Sequence, residues 1–328
     1  MGEFDLIEGF FKRPARRAVL GIGDDCALLQ TPAGSHMAIS TDMLVQGRHF
    51  FADVDPRTLG HKALAVNLSD LAACGAEPMG FTLALALPHI DERWLAAFAG
   101  GLFALADSHG CELVGGDTTR GPLTIGITVF GSVPAPGGQS RALLRSGARP
   151  GDDIYVSGHL GDARLALQAL QGQLSLPPAL LKATRLRLEE PSPRIALGMA
   201  LRGLASAAMD LSDGLVGDLG HLLKASQVGA TLNTEAALER LCARAHSDWA
   251  GAGLSHTQAL HCVLSGGDDY ELLFTAPPTA RSTVLAAAQS SDTPVTCIGR
   301  IDAQPGLRLL DAAGAPMPNH FASFDHFA

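Results

Sequence analysis

Apolar runs mark the strands expected in the first half of the chain. Residues 37–41 form a short run, and residues 81–87 and 123–133 form longer ones. Residues 57–74 and 91–109, which lie between these runs, repeat apolar positions near the helical period. Apolar periodicity is the main sequence signal for secondary structure. We therefore predict strands alternating with helices, as in an α/β or α+β domain.

The second half of the chain shows the same mixed pattern. A strand is predicted at "DIYVSG", residues 153–158. Further strands are predicted from short apolar runs at residues 260–264, 270–276, 295–301 and 307–311. Helices are predicted from apolar periodicity at residues 161–172, 179–188, 193–206 and 213–226.

A segment rich in Pro, Gly and Arg separates the two halves. Residues 134–153 read "PAPGGQSRALLRSGARPGDD", a composition typical of a connection between domains. The chain has 328 residues, which is long enough for two domains. We predict an N-terminal domain at residues 1–136 and a C-terminal α/β domain at residues 137–328.

Charge and hydropathy argue against two classes of partner. The net charge is −9, whereas a nucleic-acid-binding domain usually carries a basic patch. The longest apolar run, residues 94–106, is shorter than the roughly 20 residues that a membrane span needs. We predict that this run is a buried helix and that neither nucleic acid nor membrane is a partner. The N-terminus lacks the pattern of a signal peptide.

The cysteines are scattered and include no C-x-x-C pair, which argues against zinc and against a disulfide framework. We predict buried free thiols in a reducing cytoplasm. The prediction covers Cys26, Cys74, Cys111, Cys242, Cys262 and Cys297. Cys26 in particular is expected to pack in the core.

Six short acidic motifs interrupt the apolar runs, and each places Asp near Gly, Ser or Thr. They read "GIGDDCALL", "AISTDML", "NLSDLAACG", "LVGGDTT", "DLSDGLVGD" and "LSGGDDYELLF". A buried carboxylate is costly unless it is paired or bound to a metal. Among the four lysines, only Lys62 lies near a motif. Oxygen ligands without His or Cys are typical of Mg²⁺. We predict that the motifs form one site for several Mg²⁺ ions.

Each aspartate taken alone has a simpler interpretation, as a helix cap or turn residue. Asp91 in "PHIDERW" is predicted to be such a cap. Mg²⁺ held by carboxylates together with substrate phosphates is typical of nucleoside-triphosphate chemistry. The chain has neither the P-loop motif nor the protein-kinase motifs. Arg145, in a Gly-flanked loop, is a candidate phosphate clamp, with an ordinary surface arginine as the alternative.

The ordered set of motifs closely resembles that of the thiamine-monophosphate kinase family. This family belongs to the superfamily of aminoimidazole-ribonucleotide synthetase and selenophosphate synthetase. The resemblance extends from Glu3 to Phe327. The matching stretches include "AISTDMLVQGRHF", "HKALAVNLSDLAACGAEP", "LVGGDTTRGPL", "RSGARPGDDIYVSG" and "LSGGDDYELLFT".

The resemblance implies direct in-line transfer of the γ-phosphoryl group of ATP to thiamine monophosphate, giving thiamine diphosphate. This is the last step in the biosynthesis of thiamine diphosphate. Several Mg²⁺ ions assist the transfer, and a need for K⁺ stays open. The implied metal ligands are Asp25, Ser40, Thr41, Asp42, Asp70, Asp117, Asp210 and Asp213. The implied ATP contacts are Gly116, Asp117, Arg145 and Ser212. The implied substrate contacts are His49, Asp268 and Phe324. No catalytic base is implied.

The family fold consists of two α/β domains, and the N-terminal halves of two chains pair into a shared β-barrel. The resemblance therefore implies a homodimer. It also implies that the domain at residues 1–136 binds ATP and Mg²⁺ and forms the dimer, and that the domain at residues 137–328 completes the active site. One departure concerns Asp268, which stands where the family commonly has Glu. From the residues alone, His49 is as well explained by a structural role, and Phe324 by packing. The residue that stacks on adenine stays unassigned.

Two other functions remain as alternatives. The first is an ATP-dependent synthetase of the same superfamily that acts through a phosphorylated intermediate. Selenophosphate synthetase needs a reactive residue near its N-terminus, and a packed Cys26 would not supply one. The second is a non-enzymatic module that binds divalent cations. It predicts calcium-binding loops, and the chain has none of their motifs.

Overall fold

The structure is a computed structural model that describes residues 2–23 and 25–321. It divides into two compact units. Unit 1 comprises Met1–Leu71 and Ala76–Ala142, and unit 2 comprises Ala72–Gly75 and Leu143–Ala328. Both units combine helices with a β-sheet, so the predicted two-domain, mixed α/β fold is confirmed.

Most elements of unit 1 were predicted by the apolar pattern. Its elements are α1 (Glu3–Leu6) with a following π-helical turn (Ile7–Phe11), β1 (Ser35–Val45), α2 (Pro56–Cys74), β2 (Glu77–Leu87), α3 (Glu92–Ser108), β3 (Glu112–Arg120) and β4 (Thr124–Pro134). Strand β3 was not predicted, because its sequence "ELVGGDTTR" has few apolar residues. The last residues of α2 belong to unit 2.

In the described part of unit 1, the strands form an open four-stranded sheet in the order β1-β4-β2-β3. Strand β4 pairs antiparallel with β1 and with β2, whereas β3 runs parallel to β2. One face of β1 is hydrogen-bonded to α2. The opposite face leaves three apolar side chains exposed, those of Met37, Ile39 and Met43.

Helices α2 and α3 form the core of unit 1. Helix α2 is buried almost all round, which is typical of a central helix. A Cβ atom at Gly60 would lie 2.1 Å from the carbonyl oxygen of Phe98, so the two helices pack at close range. The predicted buried helix at residues 94–106 is confirmed as part of α3. Asp91 caps α3 as predicted, accepting hydrogen bonds from the N–H groups of Arg93 and Trp94 at 2.9 and 3.1 Å.

Unit 2 is built around a larger mixed sheet. Its elements are β5 (Asp153–Ser157), α4 (Asp162–Leu170), α5 (Pro178–Glu189), α6 (Ile195–Ala200), β6 (Ala207–Leu211), α7 (Leu215–Ser226), β7 (Gly229–Asn233), α8 (Thr234–Leu238), α9 (His256–Ser265), β8 (Glu271–Ala276), α10 (Arg281–Ser290), β9 (Val295–Asp302), β10 (Gly306–Leu310) and β11 (Pro316–Met317). Within the described residues, seven strands form an open sheet in the order β11-β10-β7-β9-β5-β8-β6. Strands β5, β6 and β8 are completely buried.

Several predictions for the second half need correction. Residues 260–264 were predicted as a strand but lie in helix α9. A short apolar run does not distinguish a buried strand from a buried helix. Here a capping box of Ser255 and Gln258 starts the helix. Helix α6 is shorter than the predicted 193–206. Strands β6 and β7 and helix α10 were not predicted.

The prediction of buried thiols is wrong for half of the cysteines. Cys26, Cys242 and Cys297 are exposed, whereas Cys111 and Cys262 are buried. Cys26 lies in an irregular segment between Leu20 and Leu28, which form an isolated β-bridge, and it belongs to neither a helix nor a strand. None of the described helices has the length and apolar content needed to span a membrane.

Candidate active site

Strand β1 and helix α2 bring three of the predicted metal ligands together. The Ser40 hydroxyl donates a hydrogen bond to the Asp70 carboxylate. Asp42 lies two residues after Ser40 and therefore faces the same side of β1. Its backbone N–H donates to the side-chain oxygen of Asn67 at 3.0 Å. Asn67 and Asp70 are three residues apart and share one face of α2. The spacing of both motifs thus creates a cluster of oxygen atoms.

Asn67 was missed by the sequence analysis. Its side chain is buried, and its amide group also donates to the carbonyl oxygen of Ala63 at 3.0 Å. Both ends of the amide are therefore used, one within α2 and one on the backbone of Asp42. The signal was its position at the start of "NLSD", one helical turn before Asp70.

Thr41 lies on the other face of β1. Its hydroxyl is 2.8 Å from that of Thr128 on β4. The side chains of Ser40 and Asp42, on either side of Thr41 in the sequence, face the opposite side of the strand. The Thr41 hydroxyl therefore does not lie with Ser40 and Asp70. Its role as a metal ligand stays a prediction.

Gly116 occupies a position that only glycine fits. Its φ angle is +151°, and an added Cβ atom would lie 1.9 Å from the carbonyl oxygen of Leu83 on β2. The neighbouring Gly115 has ordinary space, with Thr82 at 3.7 Å. The second glycine of "GGD" thus lets β3 approach β2 closely.

Asp117 lies on β3, at the opposite edge of the sheet from β1. It pairs with Ala84 on β2, and Ala84 continues the row through Gly126 to Met43. Asp42 belongs to the adjacent row, and adjacent rows of a pleated sheet face opposite sides. The sheet register therefore does not place the Asp117 side chain on the Asp42 face. Its predicted roles stay predictions.

His49 is held in the turn that follows β1. Its N–H donates to the carbonyl oxygen of Val45, and its ring Nδ1 accepts the Val45 N–H, both at 3.0 Å. Because Nδ1 is the acceptor, the neutral ring carries its proton on Nε2. The half-buried ring is thus fixed with Nε2–H as a donor. The predicted contact with substrate is not tested by this geometry.

The described carboxylates in unit 1 fit Mg²⁺ only together with other oxygens. In residues 2–23 and 25–321, no three His, Cys, Asp or Glu side chains stand close enough together to hold a metal ion. Mg²⁺ is usually bound by one or two carboxylates with substrate phosphates and waters. Asp42, Asp70 and the Ser40 hydroxyl supply a donor set of this kind. Asp25 is exposed in the irregular segment before β1, and its role stays a prediction.

In unit 2, a buried carboxylate organises the turn between β6 and α7. Asp218 Oδ2 accepts hydrogen bonds from the N–H groups of Ser212, Asp213 and Gly214, each at 3.1 Å. The pKa of Asp218 is raised to about 6, because burial and the charge of Asp213 raise it by more than the three N–H donors lower it. Asp210, at the end of β6, is also buried. The sequence analysis missed Asp218, although it lies within "DLSDGLVGD".

The predicted substrate residue Asp268 lies beside this turn. Its N–H donates to the carbonyl oxygen of Ser212 at 2.9 Å, and the Tyr270 N–H donates to that of Leu211 at 2.8 Å. Asp268 has a φ of +66° and Tyr270 one of +49°. Asp adopts this left-handed region more readily than most residues. The backbone therefore gives a physical reason for Asp, rather than Glu, at position 268.

Two further acids of "GGDDYE", Asp269 and Glu271, are buried and bind other parts of unit 2. Both oxygens of Asp269 accept the Gly161 N–H, at 2.9 and 3.1 Å. Burial raises the pKa of Asp269 well above its usual range, and the charges of Asp162 and Glu271 add to this. Glu271 is fully buried and binds Arg194 at 2.5 Å and Arg187 at 2.8 Å. These contacts give the two acids a structural role.

Arg145 and Phe324 are the two remaining predicted contacts. Arg145 is exposed, and its carbonyl oxygen accepts a hydrogen bond from the Ser226 hydroxyl at 3.1 Å. Its role as a phosphate clamp stays a prediction. Phe324 lies outside the described residues. Phe321, the last described residue, contacts the His261 ring with a centroid distance of 4.7 Å.

Comparison with known families matches both parts of the chain. Residues 23–133 match the family described as AIR synthase related protein, N-terminal domain, and residues 149–312 match AIR synthase related protein, C-terminal domain. The thiamine-monophosphate kinases of Salmonella typhimurium and Escherichia coli strain K12 are each 47% identical over 335 residues. Each alignment covers 100% of this chain and 98% of the relative.

Solved structures lead to the same family. The crystal structure of thiamine-monophosphate kinase from Stenotrophomonas maltophilia K279a is 46% identical, with a TM-score of 0.80 over 89% of this chain and 91% of that one. AaThiL complexed with AMPPCP and TMP is 28% identical, with a TM-score of 0.72 over 91% of this chain and 89% of that one. The chain therefore belongs to the thiamine-monophosphate kinase family, as its motifs predicted.

Proposed function

We propose that this chain transfers the γ-phosphoryl group of ATP directly to thiamine monophosphate. A phosphate oxygen of the acceptor forms the new bond to the γ-phosphorus, the bond to the β-phosphate oxygen breaks, and thiamine diphosphate and ADP leave. The observation that carries the proposal is the 47% identity to thiamine-monophosphate kinases along the whole chain. The related AaThiL complex, which contains AMPPCP and TMP, supports the two substrates.

Unit 1 would hold Mg²⁺ through Ser40, Asp42 and Asp70. Their oxygen atoms share one face between β1 and α2, and oxygen donors suit a hard cation. Bound Mg²⁺ would neutralise phosphate charge, which is a main source of catalysis in phosphoryl transfer. We extend the ligand set to Asp25, Thr41, Asp117, Asp210 and Asp213 on the basis of the motifs. The number of ions and any need for K⁺ are left to measurement.

The other proposed contacts bind and orient the two substrates. His49 would donate its Nε2–H to a phosphate oxygen of thiamine monophosphate, since Val45 occupies Nδ1. Asp268 and Phe324 would contact the thiamine portion, and an aromatic ring can stack on a heterocycle. Gly116, Asp117, Arg145 and Ser212 would contact ATP. A general base is unnecessary, because a phosphate oxygen is already ionised at neutral pH.

A homodimer is part of the proposal. Strand β1 forms an edge of the sheet in unit 1, and Met37, Ile39 and Met43 are 40%, 61% and 59% exposed on one of its faces. Exposed edges and apolar faces of this kind commonly pair with another chain. A second copy would cover this face and close the sheet into a shared barrel. Sedimentation should then give twice the 34.0 kDa chain mass.

A product assay tests the proposed reaction. The protein, ATP and Mg²⁺ are mixed separately with thiamine monophosphate, thiamine and an aminoimidazole ribonucleotide precursor, and the products are separated by chromatography. We expect thiamine diphosphate from the monophosphate alone, with an equal amount of ADP. ATP consumption with another acceptor would refute the thiamine assignment. No consumption with any acceptor would favour a cation-binding module.

A further inference from the structure

We propose that Asp218 is a positioning residue, which fixes the turn at residues 210–214 so that its oxygen atoms, rather than its N–H groups, are available to Mg²⁺ and nucleotide. The inference rests on the proposed function, in which Asp210 and Asp213 bind metal and Ser212 contacts ATP. Asp218 itself would touch neither substrate nor metal, because its carboxylate is occupied by the backbone of the turn.

Three backbone N–H groups converge on a single oxygen atom of Asp218. Asp218 Oδ2 accepts three consecutive backbone N–H groups, those of Ser212, Asp213 and Gly214, at equal distances of 3.1 Å. The N–H of Asp218 in turn donates to the carbonyl oxygen of Gly214 at 3.0 Å. Gly214 has a φ of +115° and offers no side chain to cap α7. Asp218 therefore closes the turn that Gly214 opens.

The Asp218 carboxylate also changes the electrostatics at the start of α7. Consecutive N–H groups at the start of a helix form a concavity that attracts anions. In this turn the buried Asp218 carboxylate, 2% exposed, fills that concavity. Ser212 and Asp213 remain half-buried, while their N–H groups point inward to Asp218. With these N–H groups occupied by Asp218, the turn no longer presents an anion-binding helix start, and the oxygen atoms of Ser212 and Asp213 become its remaining polar groups for a ligand.

A second carboxylate in unit 2 provides a matched control. Asp162 lies in the first turn of α4, is 3% exposed, and accepts the N–H groups of Cys242 and Ala243 at 3.1 and 2.8 Å. It holds a backbone segment in the same way as Asp218 does. However, none of the predicted ligands lies in the segment that Asp162 holds. Replacement of Asp162 therefore measures the loss of a carboxylate that holds backbone N–H groups away from the proposed Mg²⁺ and ATP contacts.

The test compares Asp218→Asn, Asp218→Ala and Asp162→Asn in the full-length protein. Two quantities are measured: steady-state kinetics at varied ATP and Mg²⁺, and the rise in melting temperature on adding Mg²⁺ with a non-hydrolysable ATP analogue. For Asp218→Asn we expect about a 10-fold higher KM for ATP and a smaller rise in melting temperature, because loss of residues that orient metal ligands typically costs 10–100-fold. Asp218→Ala should lie near the upper end of that range.

For Asp162→Asn we expect a lower melting temperature without ligand, but an unchanged KM and an unchanged rise on ligand addition. If Asp218→Asn behaves in that same way, Asp218 is only structural and the proposal is overturned. If Asp218→Ala does not fold, Asp218→Asn decides the question. If the wild-type protein makes no thiamine diphosphate, the proposed reaction is refuted. The melting-temperature comparison then still decides the role of Asp218.

Discussion

The oxygen cluster of unit 1 and the turn at residues 210–214 of unit 2 both carry predicted metal ligands, yet they are held differently. In unit 1, Ser40 and Asp70 bind each other through their side chains, and both lie on regular elements. In unit 2, the turn is irregular, and its backbone is held by Asp218 and by the strand-like contacts of Asp268.

The difference lies in what has to change when a cation binds. The Ser40–Asp70 hydrogen bond joins two proposed ligands, so a cation would compete with an existing contact. In the turn of unit 2, three backbone N–H groups are held by Asp218, which is not itself a proposed ligand. We infer that a cation displaces a contact between two ligands in unit 1, whereas the backbone of the unit 2 turn is fixed in advance at the cost of a buried carboxylate.

The largest expected effect is in unit 1. Asp42→Ala removes a proposed ligand but keeps the backbone N–H that binds Asn67, so the fold should survive. We expect turnover to fall by about 10³-fold, the upper range for the loss of one electrostatic contact to the transition state, and Asp117→Ala should act similarly. Turnover and circular dichroism are measured on the same preparations.

Asp91→Ala is the control for these variants. Asp91 caps α3, and we expect Asp91→Ala to lower the free energy of unfolding by about 1 kcal/mol without a change in turnover. Full activity in Asp42→Ala would contradict the metal assignment. The oxygen cluster of unit 1 would then have no metal-binding role to compare with that of the unit 2 turn.

Regular elements account for most of what the sequence could predict. Strand β1 and helix α2 follow from apolar periodicity, and the spacing of Ser40 to Asp42 and of Asn67 to Asp70 then sets their faces. Helix α9 was mistaken for a strand because its apolar run is short and its start depends on the capping box at Ser255. Exposure of Cys26 was also missed, since apolar neighbours in sequence do not ensure cover by other elements.

A smaller effect is expected at Asn67, the counterpart in unit 1 of Asp218. Asn67→Ala removes the acceptor for the Asp42 N–H and the donor to Ala63. Leaving such buried groups unpaired costs about 1–3 kcal/mol. Turnover should fall by about 10–100-fold, as for other residues that orient metal ligands. Urea unfolding and steady-state kinetics measure the two effects.

Asn233→Ala is the matched variant, because Asn233 also holds backbone N–H groups, those of Glu235 and Ala236, at the start of α8. It should lose stability but not turnover. If both asparagine variants lowered turnover equally, Asn67 would have no specific role in the oxygen cluster, and the comparison with Asp218 would fail.

The supports of the unit 2 site could not be predicted from the sequence. The roles of Asp218, Asp269 and Glu271 depend on which distant N–H or guanidinium group each carboxylate meets. Gly161 is 108 residues from Asp269, and Arg194 is 77 residues from Glu271. The motif "GGDDYE" shows three carboxylates, those of Asp268, Asp269 and Glu271, and does not distinguish their roles. The fold divides them between a half-buried Asp268, in the left-handed region, and the buried acids Asp269 and Glu271.

The smallest expected effect distinguishes these buried supports by pH. The pKa of Asp269 is raised by burial and by Asp162 and Glu271, with Arg187 acting in the opposite direction. Folded protein therefore retains a proton that the unfolded chain releases near pH 4. The contribution of Asp269 to stability is largest below that pH, and it declines as pH rises toward the folded pKa. Asp269→Asn, which cannot ionise, should gain relative to wild type by at most about 1.4 kcal/mol per pH unit.

Urea unfolding at pH 5.5, 7.0 and 8.5 measures this gain. Asp153→Asn is the control, because hydrogen bonding to Arg281 lowers the pKa of Asp153. Its stabilisation is present above the ordinary carboxyl pKa and is lost only as pH falls through the lowered value. The difference between wild type and Asp153→Asn should thus stay constant over this range. A constant difference for Asp269→Asn as well would mean that Asp269 is ionised in the folded protein, and that the segment beside the unit 2 turn is supported by a charged acid rather than by a protonated one.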